Sequence, residues 1–161
     1  MGVVAQPVSG RRLFLAVFSA ALVGWFILVA PVLAPAIVTR DFAEVVSGLV
    51  VLALFGLPMA IVPSFVIGVP LALLALRRGW TSPRAALGLG ALAGSAIGLC
   101  LLGWQLLTSS GSWGGSGGML WVDGWPTAVG WRYELRNIAL YAFAGGFGGL
   151  AARAVVAGHL P

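Results

Sequence analysis

The sequence has no lysine, one histidine (His159), one cysteine (Cys100) and four acidic residues, Asp41, Glu44, Asp123 and Glu134. Each scarcity removes a class of function. A single cysteine closes no internal disulfide and builds no cysteine-based metal site. A lone histidine close to the carboxyl end has no oriented partner for acid–base work. No span contains a nucleophile–base pair, a pair of carboxylates or a set of metal ligands. Charged residues are 8% of the chain, against about 25% in soluble domains. Too little polar surface exists to face water, so lipid is the solvent this composition demands.

What the chain does have is apolar length. Hydrophobic residues make up 60% of the 161 positions, and the mean hydropathy is +1.05. About 20 apolar residues cross a bilayer core, and four stretches meet that requirement: residues 13–38, 45–76, 85–107 and 135–157. The expected fold is therefore an all-α integral membrane protein, a bundle of four transmembrane helices forming one domain over 1–161. Pro31 and Pro35 should fray or bend the first helix near its far end, since proline lacks the amide proton and clashes with the preceding turn. The second stretch is longer than the bilayer needs and contains Pro58, Pro63 and Pro70. Those prolines predict a kinked or tilted helix, with a re-entrant pair of half-helices as the other arrangement. Thr81-Ser82-Pro83 reads as the start of the third helix.

Arginine placement predicts the orientation, because positive residues are retained on the cytoplasmic side. With the amino terminus inside, the cytoplasmic segments carry Arg11, Arg12, Arg77, Arg78, Arg84 and Arg153 and no acid. The external segments carry Arg40, Arg132 and Arg136 with all four acids. Six positive charges inside and a net of minus one outside sum to the overall +5. Both termini are thus expected in the cytoplasm of a bacterial cell. The same placement excludes nucleic acid as a partner, since the arginines sit singly or in pairs at helix ends rather than in a patch. A cleaved leader is disfavoured by the first apolar run, which exceeds the usual 7–15 residues of a signal sequence.

The external loop, residues 108–134, is rich in Gly, Ser and Trp. Its glycine and serine content argues against regular structure in the first half, while Met119 to Val122 suits a short strand or turn. Trp113, Trp121, Trp125 and Trp131 belong to an aromatic belt at the headgroup layer, and the same rings would serve as an external docking face. Gly111 to Gly118 lacks the Lys-Ser/Thr ending of a phosphate loop and is rejected as one.

Two helices carry small-residue stripes: Gly90, Gly94 and Gly98 on the third, and Gly145 and Gly149 on the fourth, with Ala144, Gly148 and Ala152 alongside. In lipid, close backbone packing over small residues replaces the hydrophobic drive between helices. The third and fourth helices should meet within the chain. Gly68-Val-Pro-Leu-Ala-Leu-Leu-Ala-Leu-Arg-Arg-Gly79, followed by a Gly/Ala-rich helix, resembles small four-span bacterial inner-membrane proteins of unknown function. That resemblance implies the layout and supplies no site residue.

The polar inventory disfavours an ion-coupled carrier, which normally keeps an ionisable side chain inside the membrane. The functional expectation is a non-enzymatic inner-membrane accessory or assembly subunit, without cofactor. It would work through lipid and a membrane-protein partner or a second copy. A small oligomeric transporter or channel and a membrane immunity protein are the other classes the layout permits.

Overall fold

The computed structural model describes residues 9–39, 42–80, 82–115 and 118–157. Arg40, Asp41, Thr81 and His159 lie outside them. The chain is a predominantly helical bundle whose elements run α1 (Gly10–Thr39), α2 (Phe42–Val51), a π-helical turn (Leu52–Gly56), α3 (Leu57–Arg77), α4 (Pro83–Thr108), β1 (Trp113–Gly115), β2 (Gly118–Val122), β3 (Trp125–Pro126) and α5 (Ala128–Ala157). Four helical stretches are long and apolar enough to cross a membrane: Gly10–Pro35, Val45–Arg77, Pro83–Thr108 and Ala128–Val156. It is a multi-pass membrane protein.

α5 is the centre of the bundle, and its two small-residue stripes explain why. On one stripe, a Cβ on Gly145 would run into the Gly90 carbonyl and one on Gly149 into the Ala86 carbonyl. Reciprocally, a Cβ on Gly90 would meet the Gly145 carbonyl, and one on Gly94 the Tyr141 carbonyl. At Gly98 the nearest atoms would be Ile138 Cα and Cγ1, both at 3.2 Å. α4 and α5 are thus in backbone contact along three turns. On the neighbouring stripe, a Cβ on Gly148 would approach the Ala20 carbonyl to 2.8 Å, which seats α1 on α5 with Ala16, Val17, Ala21 and Ala144 buried between them. α3 packs on α1 and scarcely touches α4.

α1 continues through Pro31 and Pro35 to Thr39 instead of fraying there. Its far half is held by a buried cluster of Trp25, Val29 and Leu33 against Leu52, Leu57 and Ala60, and prolines are tolerated where neighbouring helices support the backbone. The second span is one continuous helical path and not a re-entrant pair. Its irregularity is the π-helical turn just ahead of Pro58. Proline removes an amide donor, so a carbonyl of the preceding turn loses its ordinary partner, and a widened turn accommodates the mismatch. The Trp25 indole N–H donates to the Leu52 carbonyl at 3.2 Å within that turn.

Local signals set the helix ends. Arg78, Gly79 and Trp80 close α3 in a Schellman arrangement: Trp80 N–H donates to the Ala75 carbonyl, Gly79 N–H to the Leu76 carbonyl, and Gly79 takes φ +66°. Ser82 caps α4, its Oγ accepting from Ala85 N–H at 3.1 Å ahead of Pro83.

Between α4 and α5 the chain forms a three-stranded antiparallel sheet, in the order β1-β2-β3. Regular structure therefore occurs at Trp113–Gly115, in the first half of this segment, where the Gly/Ser content argued against it. Trp113 is opposite Trp121 in the register, and their rings stack at 6.1 Å. Asp123 and Gly124, both at positive φ, make the two-residue turn from β2 to β3. α5 starts at Ala128 rather than 135 because Thr127 caps it: Oγ1 accepts from Gly130 N–H at 3.1 Å and donates to the Met119 carbonyl at 2.7 Å. One hydroxyl thereby starts the helix and ties it to β2.

Thr127→Ala is expected to destabilise the protein by about 1 kcal/mol, the usual worth of such a cap, read by thermal unfolding in detergent. Gly94→Leu drives a branched side chain into the Tyr141 backbone. It should abolish a monodisperse folded species in size-exclusion chromatography, while Gly88→Leu, on an open face of the same helix, should not.

Candidate functional site

Because α3 leans on α1 and stands off from α4, a cleft of about 860 Å³ lies among α1, α3, α4 and α5. Its walls are almost wholly apolar. Among the lining residues only Ser64, Tyr141 and Arg153 have polar side chains beyond the indoles of Trp25 and Trp80. The Ser64 hydroxyl donates to the Ala60 carbonyl of its own helix at 2.7 Å, so it offers little to a ligand. Pockets of this size suit a hydrophobic guest. The chemistry available is dispersion and exclusion of water, not bond-making.

The glycine stripe borders the cleft: Gly90, Gly94, Gly145 and Gly149 line it as well as forming the α4–α5 seam, whereas Gly98 lies in the seam alone. Pro58 and Pro63 line the cleft, and Pro70 lies on the exposed face of α3. The second span is the outlier of the bundle, with none of its most apolar stretch buried. Phe55, Met59, Val62 and Val66 form part of its exposed surface.

At the sheet end the four tryptophans separate. Trp113, Trp125 and Trp131 are exposed, with Trp125 the most so at 69%. Trp121 is buried at 0% among Leu102, Leu120, Leu106 and Ile138. It anchors the sheet to the α4–α5 seam, and its burial leaves it no surface to contribute to the expected external docking face. At the opposite end, the Arg78 guanidinium lies over the Trp80 ring at 5.2 Å, and Arg11, Arg12, Arg77 and Arg84 are exposed.

Two structurally consequential residues escaped the sequence reading. Trp25 sits mid-span, far from the headgroup layer that tryptophan prefers, and that displacement was the available signal for a buried hydrogen-bonding role. Glu134 was grouped with the loop, yet it occupies the second turn of α5 at 4% exposure. The signal there was Thr127 seven residues earlier, a good helix cap. Cys100 is exposed on the outer surface of α4. No group of three or more His, Cys, Asp or Glu side chains suited to a metal ion occurs among the described residues. No family model, curated protein or solved structure matches the chain.

Trp25→Phe keeps most of the ring volume and deletes the bond to the Leu52 carbonyl. A loss of about 1 kcal/mol is expected, measurable as a lower unfolding temperature. The π-turn carbonyl left without its donor should also speed hydrogen exchange around Leu52–Gly56.

Proposed function

We propose that this chain is a non-enzymatic accessory or assembly subunit of the bacterial inner membrane, with both termini cytoplasmic, which binds an apolar helix of a larger membrane complex. The observation that carries the reading is the cleft beside a second span that buries none of its most apolar stretch. Along α1 the cleft runs from Leu13 to Val32, a rise of about 29 Å at 1.5 Å per residue. That length is close to the hydrocarbon thickness of a bilayer, so a crossing helix would be accompanied through most of its path. The small residues of the walls favour close approach of a second backbone. Trp113, Trp125 and Trp131 supply a second contact surface at the sheet end. A channel is less well supported, because the cleft offers a hydrated ion almost no polar atoms.

Photo-crosslinking from Val62 or Ala93 in native membranes should capture one discrete partner. Ala93→Phe, which fills the cleft, should lower its recovery, whereas Leu92→Phe on the exposed face of α4 should not. A solitary, uncrosslinked monomer in native membranes would remove the reading. The orientation is tested separately in a Cys100→Ala background: a cysteine at Ser112 should react with an impermeant thiol reagent applied to spheroplasts, and one at Gly79 only after lysis.

A further inference from the structure

The apolar cleft has one charged end. There α1 and α4 begin while α3 and α5 close, and the contacts set these helix ends level with one another. Gly148 packs on Ala20 and Gly149 on Ala86, and an added Cβ on Gly68 would lie 3.6 Å from Val17. Leu13, Leu76, Trp80, Ala86, Arg153 and Val156 line the cleft at this end. Arg11, Arg12, Arg77, Arg78, Arg84 and Arg153 all belong to the same helix ends. Among the described residues no acid accompanies them: Glu44 is at the start of α2, Asp123 in the turn of the sheet and Glu134 near the start of α5.

Two of these cations are attached to the cleft itself. Arg153 is the next position on the stripe of Gly145 and Gly149. Ala86 faces Gly149, so four residues further along, Arg153 reaches the level of Ser82 and Pro83, where α4 starts. The stripe no longer has a helix to meet there, and a long side chain fits. Arg153 is half-buried and lines the cleft, its apolar stem suited to the wall and its head to the mouth. A guanidinium has five N–H donors, so bonds made within the protein leave others for a guest. Trp80, 42% exposed, also lines the mouth, with the Arg78 guanidinium over its ring at 5.2 Å.

We infer that the arginine half of the cleft is a site for one anionic phospholipid, its phosphate held at the mouth by Arg153 and Arg78. Basic pockets between spanning helices take such headgroups, and the apolar walls take the acyl chain. The depth agrees. Leu13 and Gly24 both line the cleft, and the rise between them is about 16 Å at 1.5 Å per residue. One leaflet is half of a core about 30 Å thick, so an acyl chain ends near Trp25. A zwitterionic lipid would bring its own cation to an already positive mouth, and free phosphate would gain nothing from the walls. The lipid needs no second protein, so this site stands or falls apart from the partner-helix proposal. A helix entering the cleft would displace the acyl chain.

Thermal unfolding of the full chain in lipid-free, non-ionic detergent supplies the test, at about 0.15 M salt where exposed charges are screened. Added dioleoylphosphatidylglycerol should raise the unfolding temperature with saturation, as a ligand of the folded state does. Dioleoylphosphatidylcholine and inorganic phosphate should not. Arg153→Gln removes one charge-assisted contact and should raise the midpoint concentration about tenfold, while Arg153→Lys should recover most of the loss. Arg11→Gln deletes the same charge from the same end without touching the lining, and should leave the midpoint nearly unchanged. Ala72→Phe fills the arginine half of the cleft and should abolish saturation, and it serves if Arg153→Gln does not fold. No response to the anionic lipid, an equal response to either control, or equal weakening by Arg11→Gln and Arg153→Gln overturns the site.

Discussion

Backbone contact between α4 and α5 is the constraint from which the rest of this structure follows. Two helices can approach until carbonyls meet Cα atoms only if every facing position lacks a side chain, and Gly90, Gly94, Gly145 and Gly149 meet that condition. In lipid this proximity is itself the source of attraction, since no water is released when apolar surfaces join. Once α5 is committed to α4 on one stripe, its second stripe is left for α1 through Ala144 and Gly148. No third stripe of comparable smoothness remains. The span from α2 to α3 can therefore reach the bundle only by leaning on α1, and the cleft is the space this leaves.

The irregular features occur where that leaning span has to be fastened. α2 meets α1 closely at Gly48, where an added Cβ would come within 2.9 Å of Leu33. Two turns on, Gly56 receives the edge of the Trp25 ring, with an added Cβ 3.1 Å from the indole nitrogen. The π-helical turn between those points lets the Leu52 carbonyl face Trp25. A regular α-helix ahead of Pro58 would leave a carbonyl unpaired in lipid, where such a group costs several kcal/mol. The widened turn falls where Pro58 interrupts the ladder, and the mid-span tryptophan adds a fastening to α1 at the same turn through the Leu52 carbonyl.

This explains which parts of the fold were legible in the residues alone. Span count follows from apolar length, and close packing between α4 and α5 follows from four-residue glycine spacing; both are local properties of one chain segment. Pro58 gave a local signal for an irregular turn, but the Trp25 bond to that turn joins residues 27 apart, so no window around Pro58 contained it. The sheet was hidden for a similar reason. A Gly/Ser-rich composition signals flexibility in isolation, but here Trp113 stacks on Trp121, and Trp121 is in turn fixed in a pocket built by α4 and α5. Glu134 was misplaced because hydropathy sets a helix boundary where the polar residues begin, whereas α5 starts at the Thr127 cap within the polar segment. The cleft was not legible at all, since it arises from which helices fail to touch.

The seam also gives a reason for polar side chains to gather at its end. Glycine spacing brings the helix axes so close that no side chain fits between Gly90 and Gly145. Nearer the sheet, α4 and α5 must separate far enough to admit Ile138, Leu102 and then Trp121. At that divergence the stripe positions hold side chains again, facing inward because helical periodicity keeps them on the line of the glycines. Leucine or isoleucine at both positions would have closed the seam with an apolar plug, as Leu102 and Ile138 do one turn earlier. Gln105 and Glu134 stand there instead, each with its Oε1 shielded from solvent, at the junction of helical bundle and sheet.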